Sequence, residues 1–160
     1  NAGIEEIWKG VICLGGKRGW YYADWLWKIR GTIDRLMGGV GLQRGRRCPI
    51  DLYPGDVLDF WRAVRVEKPL RLLLVAEMKV PGNASLEFRL KQRSPQETEV
   101  FLTARFLPKG LAGIVYWWSV SPLHNVVFNG LLRGIGDSLG KAVLDGPETL
   151  KKDRNSSKGR

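Results

Sequence analysis

At 160 residues, 44% apolar and 26% charged, the chain is long enough for one domain with its own core. Its composition excludes a disordered, collagenous or disulfide-stapled protein. A net charge of +10 would suit nucleic acid, anionic lipid or an acidic ligand, but the excess is scattered along the chain.

Ile4, Ile7, Trp8, Val11 and Leu14 recur at helical spacing, with Glu5 and Glu6 in the first turn, where they favour the positive helix end. Gly15-Gly16 stops that helix. Next comes Gly19-Trp20-Tyr21-Tyr22-Ala23-Asp24-Trp25-Leu26-Trp27, which holds five of the sixteen aromatics. Indole N–H and phenol O–H groups need partners when buried, so a cluster this dense belongs to a pocket, an interface or a lipid boundary. A second helix is predicted from about Asp24, with the stripe Trp25, Leu26, Ile29, Ile33, Leu36 and Met37 opposed by Lys28, Arg30, Asp34 and Arg35. Gly38-Gly39 ends it.

The period then changes to two. Residues 56–67 alternate, then 71–80, then 86–91 after the turn signal Pro81-Gly82-Asn83, then 99–107 after Ser94-Pro95-Gln96. Four strands joined by short polar turns predict an antiparallel meander. From Gly110 to about Ile135 the period is helical again, and Ser121-Pro122 reads as a kink or as the junction of two helices. Leu111 to Val120 is apolar almost all round, which requires contact on more than one side. The division expected is a domain over 1–136 and a polar tail over 137–160.

Few residues suggest chemistry. Gly39-Val40-Gly41-Leu42-Gln43-Arg44-Gly45 follows a helix and precedes strands, the reverse of a dinucleotide-binding loop, so it reads as a connecting turn. Cys13 and Cys48 share neither metal nor redox spacing and read as reduced thiols, which predicts a cytoplasmic protein without a metal site. His124, the one histidine, shares a helical face with Phe128 and Leu131 and reads first as a structural histidine. Glu77 and Glu87 fall among Arg71, Lys79, Arg89 and Lys91 and read first as a solvated sheet face, with an inward carboxylate facing Arg or Tyr groups as the alternative. Asp59, between apolar neighbours, is open to either face. Arg44, Arg46 and Arg47 form a basic loop able to hold a carboxylate or phosphate, with a solvated loop as the alternative. No RNA-binding motif or zinc-finger spacing accompanies the charge, so nucleic acid is not an expected partner. No run of eighteen uninterrupted apolar residues is present. The opening Asn1-Ala2 reads as a tag remnant or as the start of a domain cut from a longer protein.

Two helices, a meander and a long last helix resemble the START-like helix-grip superfamily of polyketide cyclases, plant allergens and lipid-transfer domains. That resemblance implies an α+β fold in which a curved antiparallel sheet wraps the last helix around an apolar cavity. The superfamily's usual first strand would precede Asn1. The run from Gly19 to Trp27, the stretch Gly38 to Arg47, Gly55-Asp56-Val57-Leu58-Asp59-Phe60-Trp61, Ala76-Glu77-Met78-Lys79 and Leu111 to Ile135 are similar to an uncharacterised bacterial domain. Its members are often found C-terminal to an atypical short-chain-dehydrogenase-like Rossmann domain. The resemblance implies no assigned catalytic residues, no cofactor in this chain, and NAD(P) only in an attached Rossmann half.

The function expected is therefore a binding module for an apolar small molecule, lipid, quinone or polyketide-like, working with such an oxidoreductase. The candidate lining residues are Tyr21, Tyr22, Trp25, Trp61, Met78, Phe88, Trp117 and His124. A second reading is a cyclase or isomerase using Asp59, Tyr22 or His124 as acid–base groups. A third is a docking module whose Trp-rich face meets a Rossmann domain or, peripherally, the inner membrane surface. Trp20, Trp25, Trp27, Trp117 and Trp118 would form that face, whereas Trp8 is expected only to pack the core.

Overall fold

The computed structural model describes residues 2–15, 19–36, 38–39, 41 and 51–148. Two helices, α1 (Ile4–Ile12) and α2 (Asp24–Leu36), precede five strands, and a third helix, α3 (Gly110–Ser138), follows them. The strands are β1 (Val57–Leu58), β2 (Trp61–Glu67), β3 (Arg71–Ala76), β4 (Gly82–Ser94) and β5 (Glu97–Pro108). They pair antiparallel in chain order, β1-β2-β3-β4-β5, as an open meander. The fold is α+β, as expected.

Alternation decides which sheet face meets the helices. Ala63, Leu74, Leu86 and Ala104 share one row across β2 to β5, and Leu72, Phe88 and Leu102 share the next. Side chains two apart point the same way on a pleated strand, so these rows make one apolar face. Trp8 and Val11 from α1, Leu14 just beyond its end, and Leu131 and Ile135 from α3 close over it to complete the core. Trp8 is buried, as its stripe predicted. The backbone of α3 runs close to β5 and α1, while α2 stands further from the other elements.

Three expectations are corrected. The stretch 56–67 is not one strand but a hairpin, because Asp59 adopts φ 57° and, with Phe60, turns β1 back onto β2. Aspartate tolerates that left-handed conformation better than most residues, and alternation alone carries no trace of it. Pro81-Gly82-Asn83 is less of a turn than it reads, since β4 begins at Gly82 and pairs with Pro108. Of the two readings of Ser121-Pro122, the junction of two helices is overturned: α3 is continuous through Pro122 over 29 residues. The expected tail lies outside the described residues from position 149 onward.

Candidate functional site

The predicted stripe of α2 is not the face buried against the core. Its fully buried residues are Gly31 and Asp34, while Trp25 is 61% exposed and Leu36 more so. Met37 lies outside the described residues. Asp34, assigned from its spacing to the polar face, sits at zero exposure and accepts the Gly41 N–H at 2.9 Å and the Lys79 N–H at 2.6 Å. One carboxylate thus fastens the end of α2 to the segment after β3. Gly41, at φ 63°, gives the turn the conformation that presents its N–H to Asp34. Of the glycine-rich stretch 39–45, the described residues Gly39 and Gly41 lie against this carboxylate, and the others lie outside the described residues.

Held at that end, α2 stands off the sheet and leaves a cavity of about 260 Å³ between itself, the apolar sheet face and α3. Leu26, Trp27, Ile29, Arg30 and Ile33 form the α2 wall. Trp61, Met78 and Phe106 form the floor, and Tyr116, Trp117, His124 and Phe128 form the α3 wall. The lining is mostly apolar and aromatic. Trp117 stacks on Phe106 at 5.5 Å, and His124 lies 5.1 Å from Trp117 and 5.2 Å from Phe128, centroid to centroid. At the other end Trp27 stacks on Trp20 at 4.7 Å and leans on Phe60.

Five polar atoms on this lining have no hydrogen-bond partner within the protein: Trp27 Nε1, Trp61 Nε1, Arg30 Nε and Nη2, and His124 Nδ1. Among the described residues, one other buried side-chain atom, Oε2 of Glu99, shares that condition. A buried donor left unmet costs about 1–3 kcal/mol, so native proteins rarely gather several at one place without a use for them. Burial in this aromatic sandwich holds the His124 pKa below the usual imidazole value, so the ring is neutral at pH 7.

Of the eight expected lining residues, Trp61, Met78, Trp117 and His124 meet in this cavity. The other four lie elsewhere. Tyr21 donates its hydroxyl to the Gly10 carbonyl at 3.2 Å and packs on α3, where a Cβ on Gly134 would come within 2.6 Å of the Tyr21 Cβ. Tyr22 lies against Gly130, Trp25 points to solvent, and Phe88 is sealed in the core within its sheet row. Asp59 is buried and accepts the Trp20 indole N–H, outside the cavity wall. Arg44, Arg46 and Arg47 lie outside the described residues. Sequence reasoning missed Trp27, Arg30, Phe106, Tyr116 and Phe128. The available signal was the one-turn spacing of Trp27, Arg30 and Ile33, which places them on one side of α2.

The outer sheet face corrects a further assignment. Glu87 is buried rather than solvated, accepting Arg71 at 2.6 Å, Arg89 at 2.8 Å and Arg105 at 3.3 Å. Burial pushes its carboxyl pKa up, but hydrogen bonds and charge from Arg89 and Arg71 outweigh that and hold it below the usual range. Glu77 stays partly exposed and pairs with Arg62.

With this geometry in hand, a family profile described as "Protein of unknown function (DUF2867)" matches residues 2–131. The chain belongs to that family. No curated protein matches it. Among solved structures, CalU16 from Micromonospora echinospora is similar over 87% of this chain and 78% of its own, at 14% identity and a TM-score of 0.39. The matched span takes in α1, α2, the whole sheet and α3 as far as Leu131, and so every lining residue named above.

Proposed function

We propose that this domain is a helix-grip module that binds an apolar small molecule between α2, the sheet and α3, in the service of an NAD(P)-binding Rossmann partner. The observation that carries the reading is a mostly apolar cavity whose wall holds five unmet polar atoms. Apolar area supplies affinity in such a site, and a few convergent polar groups fix orientation. A volume of 260 Å³ lies just under the usual ~300–1,000 Å³ for ligand pockets, which favours a compact ring or a short chain. Of the three acid–base candidates only His124 reaches the cavity, so binding is favoured over cyclase or isomerase chemistry.

Nile red, a neutral apolar dye, is the probe. Its fluorescence should rise on titration into the protein. Val120→Trp, which puts bulk into the cavity from α3, should abolish the rise, and native mass spectrometry should detect a co-purifying apolar molecule. Dye binding unaffected by Val120→Trp would place the site elsewhere and refute the reading.

One observation favours docking as a second role. Leu111, Val115, Trp118, Pro122 and Val126 fall on one outward stripe of α3, and Leu111 and Trp118 are 81% and 75% exposed. That stripe suits contact with a Rossmann domain or a membrane surface. Trp25 is also exposed, whereas Trp20 is buried, and Trp27 and Trp117 line the cavity. No helix among the described residues is long and apolar enough to cross a membrane. Co-sedimentation with anionic and neutral liposomes at low salt tests the membrane arm: binding should follow anionic lipid content if the basic surface contributes.

A further inference from the structure

We infer that the molecule bound in this cavity is an anionic amphiphile whose carboxylate is held by Arg30. The inference rests on the binding reading above and adds the chemistry of the ligand's polar end.

Arg30 is one turn from Trp27 on α2 and reaches across to α3, where its guanidinium carbon lies 5.8 Å from the Tyr116 ring centroid. Its Nε and Nη2 are buried with no acceptor in the protein. The other charged residue on the wall, Arg105, is committed to Glu87 on the opposite sheet face. Among the described residues no aspartate or glutamate lines the cavity to neutralise Arg30. Arg30 is half-buried, and guanidinium nitrogens taken out of water without an acceptor are costly, while the planar fork fits a carboxylate through two parallel N–H bonds.

Of the three remaining unmet groups, the two indoles agree in sign, and His124 Nδ1 donates in one of its two neutral tautomers. Trp27 Nε1 and Trp61 Nε1 can only donate, so the wall offers indole and guanidinium donors with aromatic and aliphatic surface between them. Both indoles belong to one aromatic cluster, since Trp27 and Trp61 each pack on Phe60 at about 6 Å. A ligand with an acceptor-rich anionic head and an apolar body matches Arg30 and the indole donors in kind. A cation would face Arg30 at close range, and a pure hydrocarbon would leave the donors unmet.

The test compares decanoate, decanol and decylamine, which share a chain and differ in head charge, by titration calorimetry at pH 7.5 with the intact chain. Decanoate should bind about tenfold or more tighter than decanol, as expected for charge-assisted hydrogen bonds in a partly desolvated site, and decylamine weakest. Arg30→Gln should bring the decanoate-to-decanol ratio close to one, while Arg30→Lys keeps part of the preference. Arg65→Gln, which removes an exposed charge paired with Glu67 away from the cavity, should leave the ratio as it was. Equal affinity for decanoate and decanol, or a preference that survives Arg30→Gln, overturns the inference while Nile red binding leaves the cavity reading standing. Failure of all three ligands and of Nile red overturns both.

Discussion

The indole N–H of Trp20 donates to Oδ2 of Asp59 across 2.8 Å, and both residues are buried, at 0% and 2% exposure. This bond ties the aromatic run that precedes α2 to the hairpin turn between β1 and β2. Trp20 in turn stacks on Trp27, so the contact fixes one end of the cavity's aromatic wall.

Trp20→Phe should lower stability by about 1.5–3 kcal/mol, because a buried carboxylate loses a donor. Asp59→Ala should cost more than Asp59→Asn, since Asn tolerates φ near 57° and Ala does not. Urea unfolding with circular dichroism gives the order. Asp59→Ala as stable as wild type would refute the role given to this turn.

Glu87→Gln should cost about 1.5–3 kcal/mol at pH 7, because three arginines lose their shared carboxylate. The depressed folded-state pKa sets the sign of the pH dependence. The stabilisation is present above the unfolded value near 4.5 and is lost as pH falls through the lower folded value. Stability measured from pH 7 to 3 should therefore fall less steeply below 4.5 in the variant than in wild type.

His124 titrates in the opposite charge sense. Burial lowers its folded pKa below 6.5, so between the two values the unfolded chain binds the extra proton. Stability should be full above about pH 6.5 and decline below it, by at most about 1.4 kcal/mol per pH unit. Because the chain has a single histidine, His124→Phe should flatten the decline that begins below pH 6.5. An unchanged slope would mean that the imidazole is not desolvated as the geometry requires.

Trp8→Ala and Trp61→Ala should each cost about 3–5 kcal/mol, as both are large side chains in the core. They should part company in Nile red binding. Trp61 lines the cavity and Trp8 does not, so at matched folded fraction only Trp61→Ala should weaken the dye's affinity. Equal losses would count against the cavity as the binding site.

Gly134→Ala should destabilise by about 1–3 kcal/mol, although an exposed helical glycine normally gains from that change. The new methyl would approach the Tyr21 Cβ and backbone, which cannot swing away as a side-chain tip can. Thermal unfolding decides the sign.

Periodicity made the helices and most of the sheet legible, because repeats of 3.6 and 2 are local properties that survive without knowledge of any partner. Trp8 and the alternation around Leu72, Phe88 and Leu102 followed from sequence for that reason. The hairpin at Asp59 did not, since one residue's φ reverses a chain whose alternation runs on unchanged. Nor could spacing say whether the α2 stripe faces core, cavity or solvent. That depended on Asp34 anchoring the helix end to the Lys79 and Gly41 backbone, 45 and 7 residues away. Glu87 looked solvated because its neighbours in sequence are basic. It is buried because Arg71 and Arg105 reach it from the adjacent strands, a contact that exists only once the register is set. Sequence by itself determined the helices and most strands through their periodicity, which is local. Tertiary structure alone decided which faces meet and which polar groups are left without partners, because pairing between distant residues is a property of the packed chain.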